Sequence, residues 1–221
     1  MNLLALEASS LNISLCIKYQ GKIISDINRK IPFGASLIIQ WIDKELKKKH
    51  LGLKDMDAFV IGSGPGSFTG LRISFSLVKA FILALKKPAI MVGSFFPCAE
   101  RLKKHSDKIV VIADARRNLI YAVSFKVKDG FLKKEAKEKL CSIEEFARNK
   151  KDYLFITYDR HLKEKVSAVE PRIKFYSQDI YPSARYLLPE AELCYNKGKF
   201  TPIEKLEPLY LHPKTCQIRK K

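Results

Sequence analysis

An apolar segment that ends on an acidic side chain, followed by alternating residues, occurs twice in this chain of 221 residues. Leu3 to Ala8 is mostly apolar and closes at Glu7. Ile109 to Ala113 is apolar and closes at Asp114. After the first, Ile13, Leu15 and Ile17 alternate with Ser14, Cys16 and Lys18, the period of a half-buried strand. After the second, a turn through Arg116 and Arg117 leads into alternating residues from Leu119 to Phe125. Gly21 and Gly130 each mark a turn into a third strand. The first half continues with a helix over Ala35–Lys49, a strand over Ala58–Gly62, a helix over Thr69–Leu85 stopped by Pro88, and a strand over Pro88–Val92. In the second half, Ser142-Ile143-Glu144-Glu145 has the form of a capping box at a helix start. A strand at Tyr153–Thr157 follows, and Pro182-Ser183 opens a helix to about Asn196, ended by Gly198. Both halves thus read strand, strand, strand, helix, strand. Identity between them is negligible, so the order of elements carries the duplication. A short helix around Ser94–Lys104 and the charged Lys103–Lys108 stretch predict the boundary. We therefore expect an α/β fold with lobes over 1–104 and 105–221.

Hydrophobic residues make up 47% and charged residues 29% of the chain, which excludes wholesale disorder. No uninterrupted apolar run reaches the roughly 18–20 residues of a membrane span, so no membrane association is expected. Met1–Leu6 reads as a first strand rather than a signal peptide. Cys16, Cys98, Cys141, Cys194 and Cys216 are odd in number and widely spaced. They indicate neither a disulfide framework nor a zinc site, and fit a reducing cytoplasm. The net charge is +18, with clusters at Lys47-Lys48-Lys49, Lys103-Lys104, Arg116-Arg117, Lys133-Lys134 and Arg219-Lys220-Lys221. Such an excess attracts polyanions through counterion release. It reads equally as a lysine-rich bias giving solvated faces. No cluster is interleaved with aromatic residues in sequence.

The sharpest local signal is Gly62-Ser63-Gly64-Pro65-Gly66-Ser67-Phe68-Thr69-Gly70-Leu71-Arg72, between a strand and a long helix. Its glycines permit positive φ and close approach of another backbone. Thr69 is a candidate cap for the helix. Amides at that helix start are able to hold an anion. A tight turn that binds nothing explains the same residues. The stretch is neither a P-loop nor a dinucleotide fingerprint, since Gly-Lys-Ser/Thr and the matching acidic residue are missing. His50, His105, His161 and His212 have no metal-ligand spacing, and no metal or cofactor is expected. Ser9, Ser10, Ser67 and Cys98 have no base nearby, and no Gly-x-Ser-x-Gly elbow occurs. Glu7 and Asp114 are candidates for carboxylates facing a cleft between the halves, or for strand ends satisfied by turn amides.

Two helices carry more apolar surface than a surface helix needs, which is a stripe of about 100° or somewhat more. On the second, Leu71, Phe75, Val78, Ile82 and Leu85 share one face. Ile73, Leu77, Ala80 and Ala84 share another. On the first, Leu37, Ile38, Ile39, Trp41, Ile42 and Leu46 cover about half the circumference. Deep burial in one lobe accounts for this pattern, and so does a face buried against another protein. Under the second reading, Ile38, Trp41, Ile42, Ile73, Leu77, Ala80 and Ala84 form the partner-binding surface.

Leu3-Leu4-Ala5-Leu6-Glu7-Ala8-Ser9-Ser10, the Gly64–Arg72 stretch, Ala113-Asp114-Ala115-Arg116-Arg117 and Glu207-Pro208-Leu209-Tyr210-Leu211 together resemble the TsaB (YeaZ) family. The match spans nearly the whole chain in order. The resemblance implies the actin-like ATPase fold, with two lobes of duplicated βββαβα units. It implies a non-catalytic scaffold for threonylcarbamoyladenosine synthesis on tRNA, pairing with the transferase TsaD and joined by the ATPase TsaE. It places the pairing surface on the first two helices, implies a homodimer when the chain is alone, and implies that tRNA is met weakly or through the partner. This chain departs from the family's pattern at Glu7, where Asp is usual, and at Phe33-Gly34-Ala35-Ser36, where a His-Ser-Glu-like stretch is common. Both departures argue against nucleotide or metal binding by this chain. The alternative is a small ATP-binding phosphotransferase of the same fold, using Glu7, Asp114 and the glycine turn.

Overall fold

A computed structural model describes residues 1–30, 35–148 and 150–212. Phe33, Gly34, Cys216 and the Arg219-Lys220-Lys221 cluster fall outside the described residues. The elements in order are β1 (Leu3–Glu7), β2 (Asn12–Tyr19), β3 (Lys22–Lys30), α1 (Ala35–Lys47), β4 (Ala58–Gly62), α2 (Phe68–Leu85), β5 (Ala89–Val92) and α3 (Phe96–Leu102). They continue with β6 (Lys108–Arg116), β7 (Leu119–Lys128), β8 (Phe131–Lys134), β9 (Lys139–Ser142), α4 (Ile143–Ala147), β10 (Leu154–Ile156), α5 (Arg160–Val169), β11 (Lys174–Phe175) and α6 (Leu188–Asn196).

The duplication read from the sequence is present in the sheets. The first has the order β3-β2-β1-β4-β5. The second has the order β11-β10-β6-β7-β8, with β9 also pairing with β7. Read from the hairpin edge, each goes third, second, first, then two parallel strands. A parallel neighbour needs a crossover, and α1, α2, α4 and α5 supply them.

The chain divides into two compact units, one of Met1–Pro97 with Pro182–Pro208 and one of Cys98–Tyr181 with Leu209–Lys221. This differs from a division at 104/105. The cause is a return of the chain: Ala184, Leu187, Leu188 and Ala191 cover Leu3, Ala5, Val60 and Ile90 on one face of the first sheet. On its other face, Leu4, Leu6, Phe59 and Ile61 pack under α1 and α2. In the second unit, Val110, Ile112, Ile120 and Phe155 pack under α4 and α5. Cys16, Cys98 and Cys141 are buried, Cys194 is half-buried, and no disulfide joins them.

Three residues assigned to a partner surface are core. Ile38 is 1% exposed, Ile42 2% and Leu77 9%, and all three belong to the cluster under α1 and α2. Trp41 and Ile73 are half-buried against that cluster, and Ala80 and Ala84 are exposed. The apolar character of α2 also bears on the expectation about membranes. By length and composition alone this 18-residue helix is able to cross a membrane, since only Arg72 and Lys79 interrupt it. However, β4 before it and β5 after it are hydrogen-bonded parallel neighbours. The helix therefore runs back along the sheet, with Leu71, Phe75, Val78 and Ile82 in the core.

Candidate functional site

Each unit carries a candidate site at the carboxyl ends of its parallel strands, the usual place for ligands in open α/β sheets. In the first, Glu7 ends β1 and is fully buried. Its Oε1 accepts a hydrogen bond from the Ser9 amide at 2.7 Å. Its Oε2 has no hydrogen-bond partner among the described residues. Burial pushes the carboxyl above its ordinary value of 4.5, opposed by the Ser9 hydrogen bonds. Gly62, at the end of β4, lies directly against it. A Cβ there would fall 1.8 Å from Oε2 and 2.9 Å from the Ser94 hydroxyl.

The glycine-rich turn between β4 and α2 is folded onto the end of β1. A Cβ on Gly66 would fall 2.1 Å from the Ser9 carbonyl oxygen, and one on Gly70 would fall 2.0 Å from that of Ala8. The Ser67 amide donates to the Ser9 carbonyl at 2.6 Å. The Gly64 amide donates to the Ser94 hydroxyl at 2.8 Å, and the Ser94 amide returns to the Gly64 carbonyl at 3.0 Å. The helix cap is Ser67, whose hydroxyl accepts from the Gly70 amide at 3.3 Å. Thr69, expected in that role, lies exposed in the first turn. Pro65 is buried, and Arg72 lies outside, its guanidinium 3.7 Å from the centre of the Phe68 ring. Gly66 and Gly70 answer a need for close backbone packing; the Ser67 amide is used by Ser9, the Gly64 amide by Ser94 and the Gly70 amide by the Ser67 cap.

In the second unit, Asp114 near the end of β6 is exposed, and its Oδ1 accepts from the Arg116 amide at 2.8 Å. The chain then passes through Arg116, Arg117 and Asn118, all with left-handed φ of 65°, 53° and 58°. Asp114 shares a cleft of about 350 Å3 with Asp159, His161, Leu162, Glu164 and Lys165. Asp159 occupies in this unit the place that Ser67 holds in the first: it caps the helix after the second parallel strand, accepting from the His161 amide at 3.0 Å. Sequence reasoning missed α5 and with it this cleft. The signal was there, in Asp159 ahead of Leu162, Val166 and Val169 at helical spacing. Among the described residues no group of three or more His, Cys, Asp or Glu is placed to hold a metal ion.

Residues 35–200 match the family model described as TsaD, tRNA N6-adenosine threonylcarbamoyltransferase. A tRNA threonylcarbamoyladenosine biosynthesis protein TsaB of Haemophilus influenzae is 25% identical over 230 residues, covering 96% of this chain and 93% of that protein. The TsaB of Escherichia coli is 21% identical, covering 96% and 94%. Among solved structures, YeaZ from Pseudomonas aeruginosa superposes with a TM-score of 0.82 at 22% identity, covering 95% of this chain and all of that one. A second structure from that organism, described as similar to peptidase YEAZ, gives 0.84 at 23%, covering 96% and 99%. These likenesses establish the duplicated α/β fold shared with the YeaZ structures. With three quarters of its length matched by the family model, the chain belongs to the TsaD family, and its curated full-length relatives there are TsaB (YeaZ) proteins.

Proposed function

We propose that this chain serves threonylcarbamoyladenosine biosynthesis on tRNA in the cytoplasm as a non-catalytic scaffold, pairing with a TsaD-like transferase and a TsaE-like ATPase. Without them it pairs with a second copy of itself. The observation that carries this reading is the outer face of α2. Leu83 is 67% exposed and Phe68 40%, Ala80 and Ala84 are exposed beside them, and Ile73 is half-buried at their edge. Ile39 on α1 is 49% exposed, and Trp41 is half-buried with the Arg29 guanidinium 5.3 Å from its ring centre. These exposed apolar side chains are spread along the solvent side of α2, with Arg72, Ser76 and Lys79 between them, and give a partner helix separate apolar contacts. Small Ala80 and Ala84 allow a partner helix to approach closely.

The non-catalytic half of the reading is supported by the sites themselves. Glu7 is sealed against Gly62, and the glycine turn is packed onto the end of β1. The phosphotransferase alternative needs those same groups open to a nucleotide.

The test replaces Leu83 by Glu. The charge lands on the exposed face, so the single chain should melt at an unchanged temperature. Affinity for the TsaD-like partner should fall at least tenfold, about 1.4 kcal/mol or more. A folded variant that binds the partner normally and supports tRNA modification at the wild-type rate would move the interface elsewhere.

A further inference from the structure

Lysines are aligned across one end of the second sheet. Lys108 on β6 stands directly opposite Lys126 on β7, and Lys126 directly opposite Lys133 on β8. Directly opposed residues share a face of the sheet, and neighbouring strands lie about 4.8 Å apart. Like charges so placed repel, and a folded sheet tolerates them only with something to offset the cost. The internal offset is small. Glu135 accepts from the Lys126 ammonium at 2.7 Å, from the Tyr153 hydroxyl at 2.7 Å and from Lys150 at 3.4 Å. Lys108 reaches Asp152 only at 4.0 Å. Lys128, which follows Lys126 on the same face, forms no ion pair with any described residue, nor does Lys133. Partial burial alone would raise the Glu135 carboxyl. The Lys126, Tyr153 and Ser124 hydrogen bonds nevertheless hold it down to about 2, so it carries one full charge among several lysines.

Beside this row lies a cleft of about 630 Å3 lined by His105, Lys151, Arg172 and Lys174, together with Asp152 and Tyr153. Glu170 takes up Arg172 in two hydrogen bonds and Lys151 at 3.5 Å, and Lys174 pairs with no described carboxylate. The row and the cleft sit at the start of β6, whereas Asp114 sits near its end, some six residues or about 20 Å away along the strand.

We propose that this basic edge of the second unit is a docking site for an RNA phosphate backbone. It rests on the reading that the chain works on tRNA, and it adds where the chain itself would hold the RNA. Lysines are flexible point charges suited to phosphate. Tyr153 is only 9% exposed, 4.4 Å from Lys150, whereas Phe131, 58% exposed, stands directly opposite Lys128 on the face of the lysine row and offers a base one ring, whose stacking does not depend on sequence. The site therefore positions RNA without reading its sequence.

The test uses the full chain without partners and a fluorescently labelled RNA hairpin, with anisotropy followed as salt is raised. Lys128→Glu/Lys133→Glu reverses two exposed charges of the band that pair with no described residue. Lys22→Glu/Lys49→Glu makes the same change in net charge at exposed positions of the first unit. The band variant should bind at least tenfold more weakly. Its slope of log K against log salt should be shallower by about 0.7–0.9 for each phosphate that the variant no longer neutralises. The control should lose less than about threefold. Lys128→Gln/Lys133→Gln should show a smaller loss in the same direction, which guards against misfolding of the reversed pair. Equal losses in band and control, or no binding by the wild-type chain at low salt, would overturn the site. Displacement of RNA by polyglutamate at equal charge would reassign it to an acidic protein. The scaffold reading is scored separately, by partner binding of the Leu83 variant, so either fails without the other.

Discussion

Gly66 was legible as a turn and Gly70 as part of the helix start, but the reason for them was not. The atoms that forbid a side chain are the carbonyls of Ser9 and Ala8, 2.1 and 2.0 Å from where a Cβ would sit. Those residues are more than fifty positions away, so no local pattern reports them. Both contacts are with backbone, which cannot swing aside. Gly66→Ala and Gly70→Ala should each destabilise by about 1–3 kcal/mol or more. For a chain of this size that lowers the melting temperature by roughly 2–4 °C per kcal/mol. Gly21→Ala meets no atom within 4 Å and should cost only its left-handed φ. Glu7 makes a second prediction at this scale. Burial raises its folded carboxyl above 4.5, so the native state holds a proton that the unfolded chain releases first. Stability contributed by Glu7 is therefore greatest in acid and declines as pH rises from 4.5 through the folded value. Glu7→Gln keeps the Oε1 acceptor and cannot ionise. The melting temperature of the variant relative to wild type should climb between acidic and neutral pH and then level off. A flat difference would show that Glu7 ionises as easily folded as unfolded.

Among the elements, α2 shows where a sequence pattern is informative and where it misleads. Its length, its abundance of apolar side chains and its end before Pro88 were all readable, and Lys86 closes it in the left-handed conformation. What failed was the division of its apolar residues into two faces. A stripe through Leu71, Phe75, Val78 and Ile82 suggests a core about 100° wide. In the structure Ser74 and Leu77 are buried as well, and Leu77 joins the same core cluster as Ile38 and Ile42 of α1. Leu77, six residues after Leu71, is about 120° around from it and still inside. Leu83, which no pattern singled out, is the most exposed large apolar side chain of the molecule's described residues. Leu77→Ala should therefore lower stability by about 2–5 kcal/mol, and Leu83→Ala should change it by no more than about 0.5 kcal/mol. Chemical denaturation of the isolated chain measures both. Equal costs at the two positions would mean that the outer face of α2 is covered already.

For the whole molecule, the order of strands repeated in both halves gave the architecture, because three meander strands followed by crossover helices admit few sheet orders. The boundary was not readable in the same way. A charged stretch at Lys103–Lys108 looks like a linker, and nothing local says that residues 182–208 belong with residues 1–97. That assignment comes from a face of β1, β4 and β5 that alternation cannot show, since all five residues of β1 and of β4 are buried on both sides. Leu187 and Leu188, with Ala184 and Ala191, fill one of those sides. Ser14 anchors the return, its hydroxyl accepting from the Ala184 amide at 3.0 Å. Burying a leucine contributes about 1.5–3 kcal/mol, so the two leucines alone supply about 3–6 kcal/mol. A typical domain is stable by only about 5–15 kcal/mol in total. A chain ending at Tyr181 should therefore leave the first unit unfolded or aggregated, although every strand of its sheet is still present. Supplying residues 182–212 as a separate polypeptide should restore part of the cooperative melt, since the groups to be covered, Leu3, Ala5, Val60, Ile90 and Val92, are unchanged. If the chain ending at Tyr181 melts as cooperatively and at the same temperature as the full chain, the returning segment is an appendage, and the first unit is the contiguous lobe the charge pattern suggested.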